Sequence, residues 1–441
     1  MDEYDEIILG GGWAGLLYAD MKLYEHNHKI AVIEKESENN KGGLLRTEII
    51  DGLTFDTGGP HLLFSRDANI ISKIIELLGD NVSKRERNNY VLYGDSLIPY
   101  PFENGIYKLD PYLRVDFVKG IIERMIFIAK NSEWKPSNFK DWITGFFGDV
   151  MAREYLIPYN IKIWKRPLEN MAADWIFTPG RLPFPQLEDM IKAAAGLPNI
   201  GYKEQAYFYY PKRGGIQSLF NSLYERVVKK GVDFLFGKNV NSIETNRRGG
   251  YIINNEITAN NVISTIPLPE LLLSLGDSKE NHNLADEFDY NSVIVVGVAT
   301  SSSTQNQTTI YVPDPKVIFH RYTWMSSLAN SKDSTKSNLI AEITIPKGEM
   351  VDIDKITSTV IRDLANIGAI KDEKEVIFTR TWFNKYGYPI YTLNHNKIRE
   401  KTTEILNYYG IKSVGRWGSW HYWNTDMVYK AILNINNMGV K

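Results

Sequence analysis

No cysteine occurs among the 441 residues. That excludes disulfides, a thiolate nucleophile and a cysteinyl link to a cofactor, and it fits a cytoplasmic protein. No apolar run reaches the ~18 residues of a membrane span. The longest apolar helical stretch, Val115 to Ala129, is broken by Asp116, Lys119, Glu123 and Arg124. Charge of one sign is not in excess: 51 Lys and Arg stand against 53 Asp and Glu, for a net charge of -2. Nothing electrostatic therefore points to nucleic acid or an anionic membrane as a partner. Repeats and low-complexity tracts are absent, and no metal is expected. The chain begins Met-Asp-Glu and enters an apolar strand at once, which reads as having no secretory leader. Its length predicts two to three domains. What it does have in quantity is tyrosine, 26 residues, a number that suits a polar cleft needing uncharged donors.

The most informative stretch is Glu6 to Gly15. A short apolar run leads into Gly10-Gly11-Gly12-Trp13-Ala14-Gly15, a G-x-G-x-x-G pattern, and then into a helical pattern from Leu16 to about Asn27. Gly10 permits a tight turn, Gly12 lets backbone approach a pyrophosphate, and Gly15 lets helix pack on strand. The helix N-terminus would face the phosphates with free N–H groups. A second strand, Lys29 to Lys35, carries Glu34 about twenty residues further on, where a ribose-binding acid belongs. Gly42-Gly43, Arg46 and Phe55-Asp56-Thr57-Gly58-Gly59-Pro60-His61 follow. This set resembles the FAD-binding amine oxidase and protoporphyrinogen oxidase superfamily, in which such a turn and arginine wrap the flavin diphosphate.

Along the rest of the chain the pattern alternates in blocks. Residues 113 to 196 are mostly helical, including Val115–Lys130, Asn138–Phe147, Val150–Ile157 and Leu187–Ala195, with Pro158 to Trp164 lying between helices. Strands are expected at Tyr251–Ile257, Val262–Thr265, Val293–Ala299, Thr308–Val312, Lys316–Trp324, Asn338–Ile345 and Glu375–Trp382. The expected fold class is α/β: a discontinuous Rossmann-type FAD-binding domain with an inserted helical domain and an inserted, mainly antiparallel β-sheet domain. The boundaries expected are 1–85, 205–275 and 400–441 for the FAD-binding domain, 105–204 for the helical domain, and 86–104 with 276–399 for the β-sheet substrate domain.

Ordered short motifs over nearly the whole length resemble the UDP-galactopyranose mutase family, closer to its eukaryotic type. Gly58 to Ser65 resembles the family's histidine loop, with His61 and Phe64. Tyr100-Pro101-Phe102-Glu103-Asn104 resembles its base-binding turn, and Pro158-Tyr159-Asn160 with Trp164 its nucleotide-ribose segment. Arg181 and Arg321 fall at the positions of its two arginines, and Tyr311, Tyr388 and Tyr422 at those of its tyrosines. Gly415-Arg416-Trp417-Gly418-Ser419-Trp420, then Tyr422, Asn424 and Asp426, resembles its closing motif.

The resemblance implies FAD as cofactor, held by Gly10, Gly12, Gly15, Glu34, Gly42, Gly43, Arg46, Val240, Arg416 and Asp426. It implies a nucleoside-diphosphate sugar as partner, met by Phe64, Tyr100, Glu103, Asn160, Trp164, Tyr311, Tyr388, Tyr422 and Asn424. It also implies a reaction interconverting pyranose and furanose forms, UDP-galactose first among candidates. The reduced flavin's N5 attacks the anomeric carbon while Arg181 and Arg321 hold the departing diphosphate and His61 positions its loop. NADPH or NADH is the implied reductant, and a homo-oligomer remains open. Two residues depart from the pattern. Glu103 stands where the eukaryotic enzymes place a Gln, and Gln205 where an Asn is expected. A Gln donates and accepts; an ionised Glu only accepts, which raises guanine beside uracil as the base. The competing class is an FAD-dependent oxidase of an amine or porphyrinogen, which would share the flavin motifs but has no use for the arginines and tyrosines.

Overall fold

The computed structural model describes residues 2–22, 28–177, 186–198, 206–247, 249–276, 278–301, 303, 305–329 and 336–438. Arg181 and Gln205, both singled out above, lie outside them.

The chain forms a mixed α/β fold with two seven-stranded sheets. The first is built on the strand Asp2–Leu9, whose last residues are fully buried because it is covered on both faces. It pairs in parallel with Ile30–Glu34 on one side and Ile257–Ser264 on the other; Asp233–Phe236 extends the first side and Lys412–Ser413 pairs with the second, also in parallel. Residues far apart in sequence thus meet in one sheet. The second sheet runs in the order Val376–Pro389, Tyr290–Thr300, Ser337–Pro346, Arg321–Trp324, Thr309–Tyr311, Tyr90–Tyr93, Ser96–Pro99. It is antiparallel except where Tyr90–Tyr93 pairs with Thr309–Tyr311. Helices Pro111–Lys130 and Phe139–Met151 pack against each other. No helix among the described residues is long and apolar enough to cross a membrane.

Several expectations needed correction. The stretch 158–164 is not a connector but a helix, Ile157–Trp164. The preceding segment runs straight into it through the π-helical turn Ala152–Leu156, so Pro158, which has no N–H to donate, sits in continuous helix just after a wider turn. Tyr251 to Ile257 is not one strand. Asn254 and Asn255 take left-handed φ values of 52° and 56° and, in the three-residue turn 254–256, fold Tyr251–Ile253 back onto Ile257–Ser264, a conformation Asn tolerates better than most residues. Of the expected strand 316–324, only Arg321–Trp324 is a regular strand. The strand expected to stop at Trp382 continues to Pro389 and so carries Tyr388.

Candidate active site

The turn after the first strand behaves as its glycines demand. Gly10 has φ 95°, and a Cβ on Gly15 would lie 2.0 Å from the Gly10 carbonyl oxygen, so only glycine lets the helix Trp13–Met21 sit this close. A Cβ on Gly12 would meet no protein atom within 4 Å. It would enter the adjoining cavity of about 590 Å³, a size within the ~300–1,000 Å³ of ligand pockets. Gly10, Gly12, Glu34, Gly43, Arg46 and Val240 line that cavity. Glu34 is fixed at the end of its strand by the backbone N–H groups of Gly11 (2.8 Å) and Glu36 (2.9 Å). Gly42 and Gly43 have φ 128° and 55°, and the Gly43 Cβ position lies 3.5 Å from Gly12 Cα, which closes the Gly-Gly turn over the fingerprint. The Nε of Arg46 is buried with no partner among the described residues. A glycine-lined cradle beside a helix N-terminus, a strand-end carboxylate and an uncommitted buried guanidinium nitrogen fit a dinucleotide flavin.

A second cavity adjoins the first. Leu44, His61, Asn384, Arg416, Asn424 and Thr425 line both. Phe64, Tyr100, Glu103, Asn160, Trp164, Tyr311, Arg321, Tyr388 and Tyr422 line the second cavity alone. Of the residues expected at the cofactor, Arg416 is at the junction: Nη1 donates to the Trp423 carbonyl at 3.0 Å and Nη2 to the Gly387 carbonyl at 2.6 Å. Asp426 lies one residue past Thr425 in the first turn of the closing helix Thr425–Met438.

The arginine expected to clamp phosphate is already half engaged. Arg321 donates from Nε and Nη2 to the two oxygens of Glu342 at 2.6 and 2.7 Å, and Nη2 lies 3.4 Å from the Tyr388 hydroxyl. Burial alone would lower its pKa, yet the Glu342 carboxylate, only 1% exposed, and Tyr388 hold it well above the ordinary value. The charged fork is therefore permanent, and its Nη1 makes none of these bonds. Glu342 was not foreseen from the sequence, since nothing in Ala-Glu-Ile within a strand marks a carboxylate as an arginine's partner.

His61 is held neutral. Burial first, then the neighbouring charges of Arg416 and Arg321, push its imidazole down to about 3, and its Nε2 has no partner among the described residues. Burial likewise raises the hydroxyls of Tyr100 and Tyr388, so both stay protonated as donors. Asn160, expected at the ribose, is engaged within its own helix: Nδ2 donates to the Leu156 carbonyl at 2.7 Å and Oδ1 accepts from Trp164 Nε1 at 3.1 Å. The same helix is tied to the Tyr311 strand by Lys162, whose Nζ donates to the carbonyls of Val312 and Asp314, both at 2.7 Å. Burial, with Lys165 nearby, lowers the Lys162 pKa to about 7. A neutral amine retains two N–H donors, enough for both carbonyls.

Sequence reasoning also missed Arg87 and His320. Arg87 lines the second cavity with its guanidinium 5.0 Å from the Phe64 ring centre, and its Nε and Nη2 are buried with no partner among the described residues. His320 lines it too; burial and Arg321 hold it neutral. The Asn88-Asn89 flank gave no signal for Arg87; only its burial distinguishes it from the many surface arginines.

The family model for flavin containing amine oxidoreductases matches residues 14–432. An uncharacterized protein in the nifH2 3' region of Methanothermococcus thermolithotrophicus is 35% identical over 138 residues, 31% of this chain and 97% of that protein. Among solved structures, reduced UDP-galactopyranose mutase superposes with a TM-score of 0.88 at 23% identity, covering 99% of this chain and 94% of that one. Putrescine oxidase bound to putrescine superposes with a TM-score of 0.63 at 15% identity, covering 99% of each.

Proposed function

The chain belongs to the flavin containing amine oxidoreductase family, and from that premise we propose that it is an FAD-dependent sugar-nucleotide mutase interconverting pyranose and furanose forms of a nucleoside-diphosphate hexose, with UDP-galactopyranose and UDP-galactofuranose the first pair to assay. One observation carries the reading: the glycine-built cavity meets, at His61 and Arg416, a cavity lined by Arg321, Arg87 and neutral tyrosines. The likeness to a UDP-galactopyranose mutase structure supports it. In this reading Glu34, Arg46, Val240, Arg416, Asp426 and the glycine turns hold FAD, and the three-domain division at the boundaries given above is retained.

Bound there and reduced, FAD supplies an electron-rich nucleophile at N5; oxidised, the same atom is an electrophile. The protein's task is to hold the leaving diphosphate without trapping it. Arg321 offers Nη1 to a phosphate oxygen while Glu342 offsets much of its charge, which makes a weaker clamp than a bare guanidinium. Tyr311, Tyr388 and Tyr422 add O–H donors without adding charge. His61, neutral, lies between the two cavities and positions its loop without moving a proton. Asn424 and Thr425, at the start of the closing helix, complete the wall between sugar and flavin.

The test is to incubate dithionite-reduced protein with UDP-galactofuranose and separate the isomers. Pyranose should form, and the oxidised protein should be silent. If several nucleotide sugars give no exchange while an amine or porphyrinogen is oxidised with release of peroxide, the oxidase reading replaces this one.

A further inference from the structure

Tyr422 sits among the residues that build the second cavity. Its ring meets Tyr388 edge to face with centroids 5.2 Å apart, meets Trp164 the same way at 5.8 Å, and has the Arg416 guanidinium 4.6 Å from its centre. No regular element carries it: residues 421–424 are neither helix nor strand. The preceding Trp420, 1% exposed, takes a left-handed φ of 53°. That conformation is costly for a bulky residue and persists only where the surroundings impose it. The Tyr422 backbone N–H donates to a side chain, the hydroxyl of Tyr391, at 2.9 Å. The same hydroxyl lies 3.0 Å from Nδ1 of His421. Tyr391 is itself fixed. Its carbonyl accepts from the Ala172 N–H at 2.8 Å, and its ring stacks on His395 with centroids 4.0 Å apart. His421 in turn stacks on Trp423 at 4.6 Å. Neither Tyr391 nor His421 lines either cavity.

We propose that Tyr391 and His421 are positioning residues for substrate binding: the Tyr391 hydroxyl, held by His421 Nδ1, sets the Tyr422 backbone and so aims the Tyr422 ring and hydroxyl into the cavity. The proposal rests on the nucleotide-sugar reading above. A tyrosine hydroxyl both donates and accepts, so one oxygen serves the Tyr422 N–H and the imidazole together. In either tautomer Nδ1 is the imidazole's partner to that oxygen, and the hydroxyl is held at two points. Burial, then Arg399, lowers the His421 imidazole to about 3, so it is neutral and the contact needs no charge. The consequence reaches beyond the hydrogen bond. A shift of the Tyr422 backbone moves a ring that touches Tyr388, Trp164 and Arg416 at once, and a misplacement of about 1 Å in a site can cost up to about 100-fold in rate.

The experiment titrates the flavin-loaded protein calorimetrically with UDP and with GDP, as wild type and as Tyr391→Phe, His421→Phe, His421→Asn and the double variant Tyr391→Phe/His421→Phe. Phenylalanine at 421 keeps a ring against Trp423 and loses Nδ1; asparagine loses the ring and offers an amide near the Nδ1 position. Tyr391→Phe and His421→Phe should each weaken nucleotide binding about two- to tenfold, the loss of one hydrogen bond, at unchanged flavin content. His421→Asn should bind as the wild type does. The double variant should be no weaker than the weaker single, because both changes break one device. Hydrogen exchange read by mass spectrometry should be faster at the Tyr422 amide in Tyr391→Phe. A purely structural role would lower the unfolding midpoint and leave the affinity of the flavin-loaded protein unchanged. That result, or losses that add in the double variant, overturns the inference and leaves the mutase reading in place. If Tyr391→Phe purifies without flavin, the His421 pair decides, and equal affinity in His421→Phe and His421→Asn overturns it. Failure of the wild type to bind either nucleotide removes both.

Discussion

The two adjoining cavities are made in different ways. One wall of the flavin-side cavity is made by backbone: Gly10, Gly12 and Gly43 line it and Gly15 and Gly42 let the chain pack closely around them, all within forty residues of sequence, and on that wall a missing Cβ is the feature that counts. The substrate-side cavity is made by side chains from separated segments, including the 58–64 loop, the 100–103 turn, the helix Ile157–Trp164 and four strands of the second sheet. Backbone-built sites tolerate almost no added atom, whereas side-chain-built sites can change ligand by exchanging one residue. The first therefore reports the cofactor class and the second the substrate.

The largest effects should come from breaking the backbone-built side. Gly15→Val should purify without flavin, since even a Cβ would overlap the Gly10 carbonyl. Gly12→Ala is sharper: its φ of -81° suits alanine and the new methyl meets no protein atom. It should fold with unchanged apo stability and still lose flavin, read from the visible flavin absorbance per protein. Full flavin occupancy in Gly12→Ala would show that the pyrophosphate does not approach there.

On the side-chain-built side, Arg321→Ala should keep flavin but leave Glu342 buried with no guanidinium. Denaturant unfolding should show a loss of about 3–5 kcal/mol, the usual result of stranding one member of a buried pair. An unchanged midpoint would mean that water reaches Glu342. Acid should act on both cavities through their shared histidine. His61, His395 and His421 are pushed down to about 3, in each case chiefly by burial, and His320 well below its ordinary value. An unfolded histidine titrates near 6.5, so between about pH 6.5 and pH 3 the unfolded chain binds more protons than the fold. Stability should be full above pH 6.5 and fall steadily through that window; a flat profile from pH 7 to 4 would place these rings in water. Lys162→Met should have the smallest effect. It removes two hydrogen bonds to the Tyr311 end of the strand, each about 0.5–1.5 kcal/mol, and should weaken nucleoside-diphosphate binding modestly at unchanged flavin content.

That contrast also governs what the sequence alone could reveal. The glycine turn, Glu34 and Arg46 follow from local spacing, and the structure sets them around one cavity. The parallel sheet core and the antiparallel second sheet were legible because their strands are apolar and β-branched. The helix Ile157–Trp164 was not, because a proline hid a continuous helix, and the Asn254-Asn255 hairpin was passed over as part of one strand. Tyr311, Tyr388 and Arg321 line one cavity, yet the Arg321–Glu342 pair and the burial of Arg87, whose Nε and Nη2 have no partner among the described residues, depend on contacts between segments that no local pattern encodes.

In the proposed reaction, reduction starts turnover without being consumed by it. The direct measurement is anaerobic: count furanose–pyranose conversions per NADPH or dithionite equivalent, using the nucleotide sugar whose diphosphate binds best. The account predicts many conversions for each reducing equivalent and none before reduction. One reducing equivalent consumed per product, or turnover by the oxidised protein alone, would contradict it.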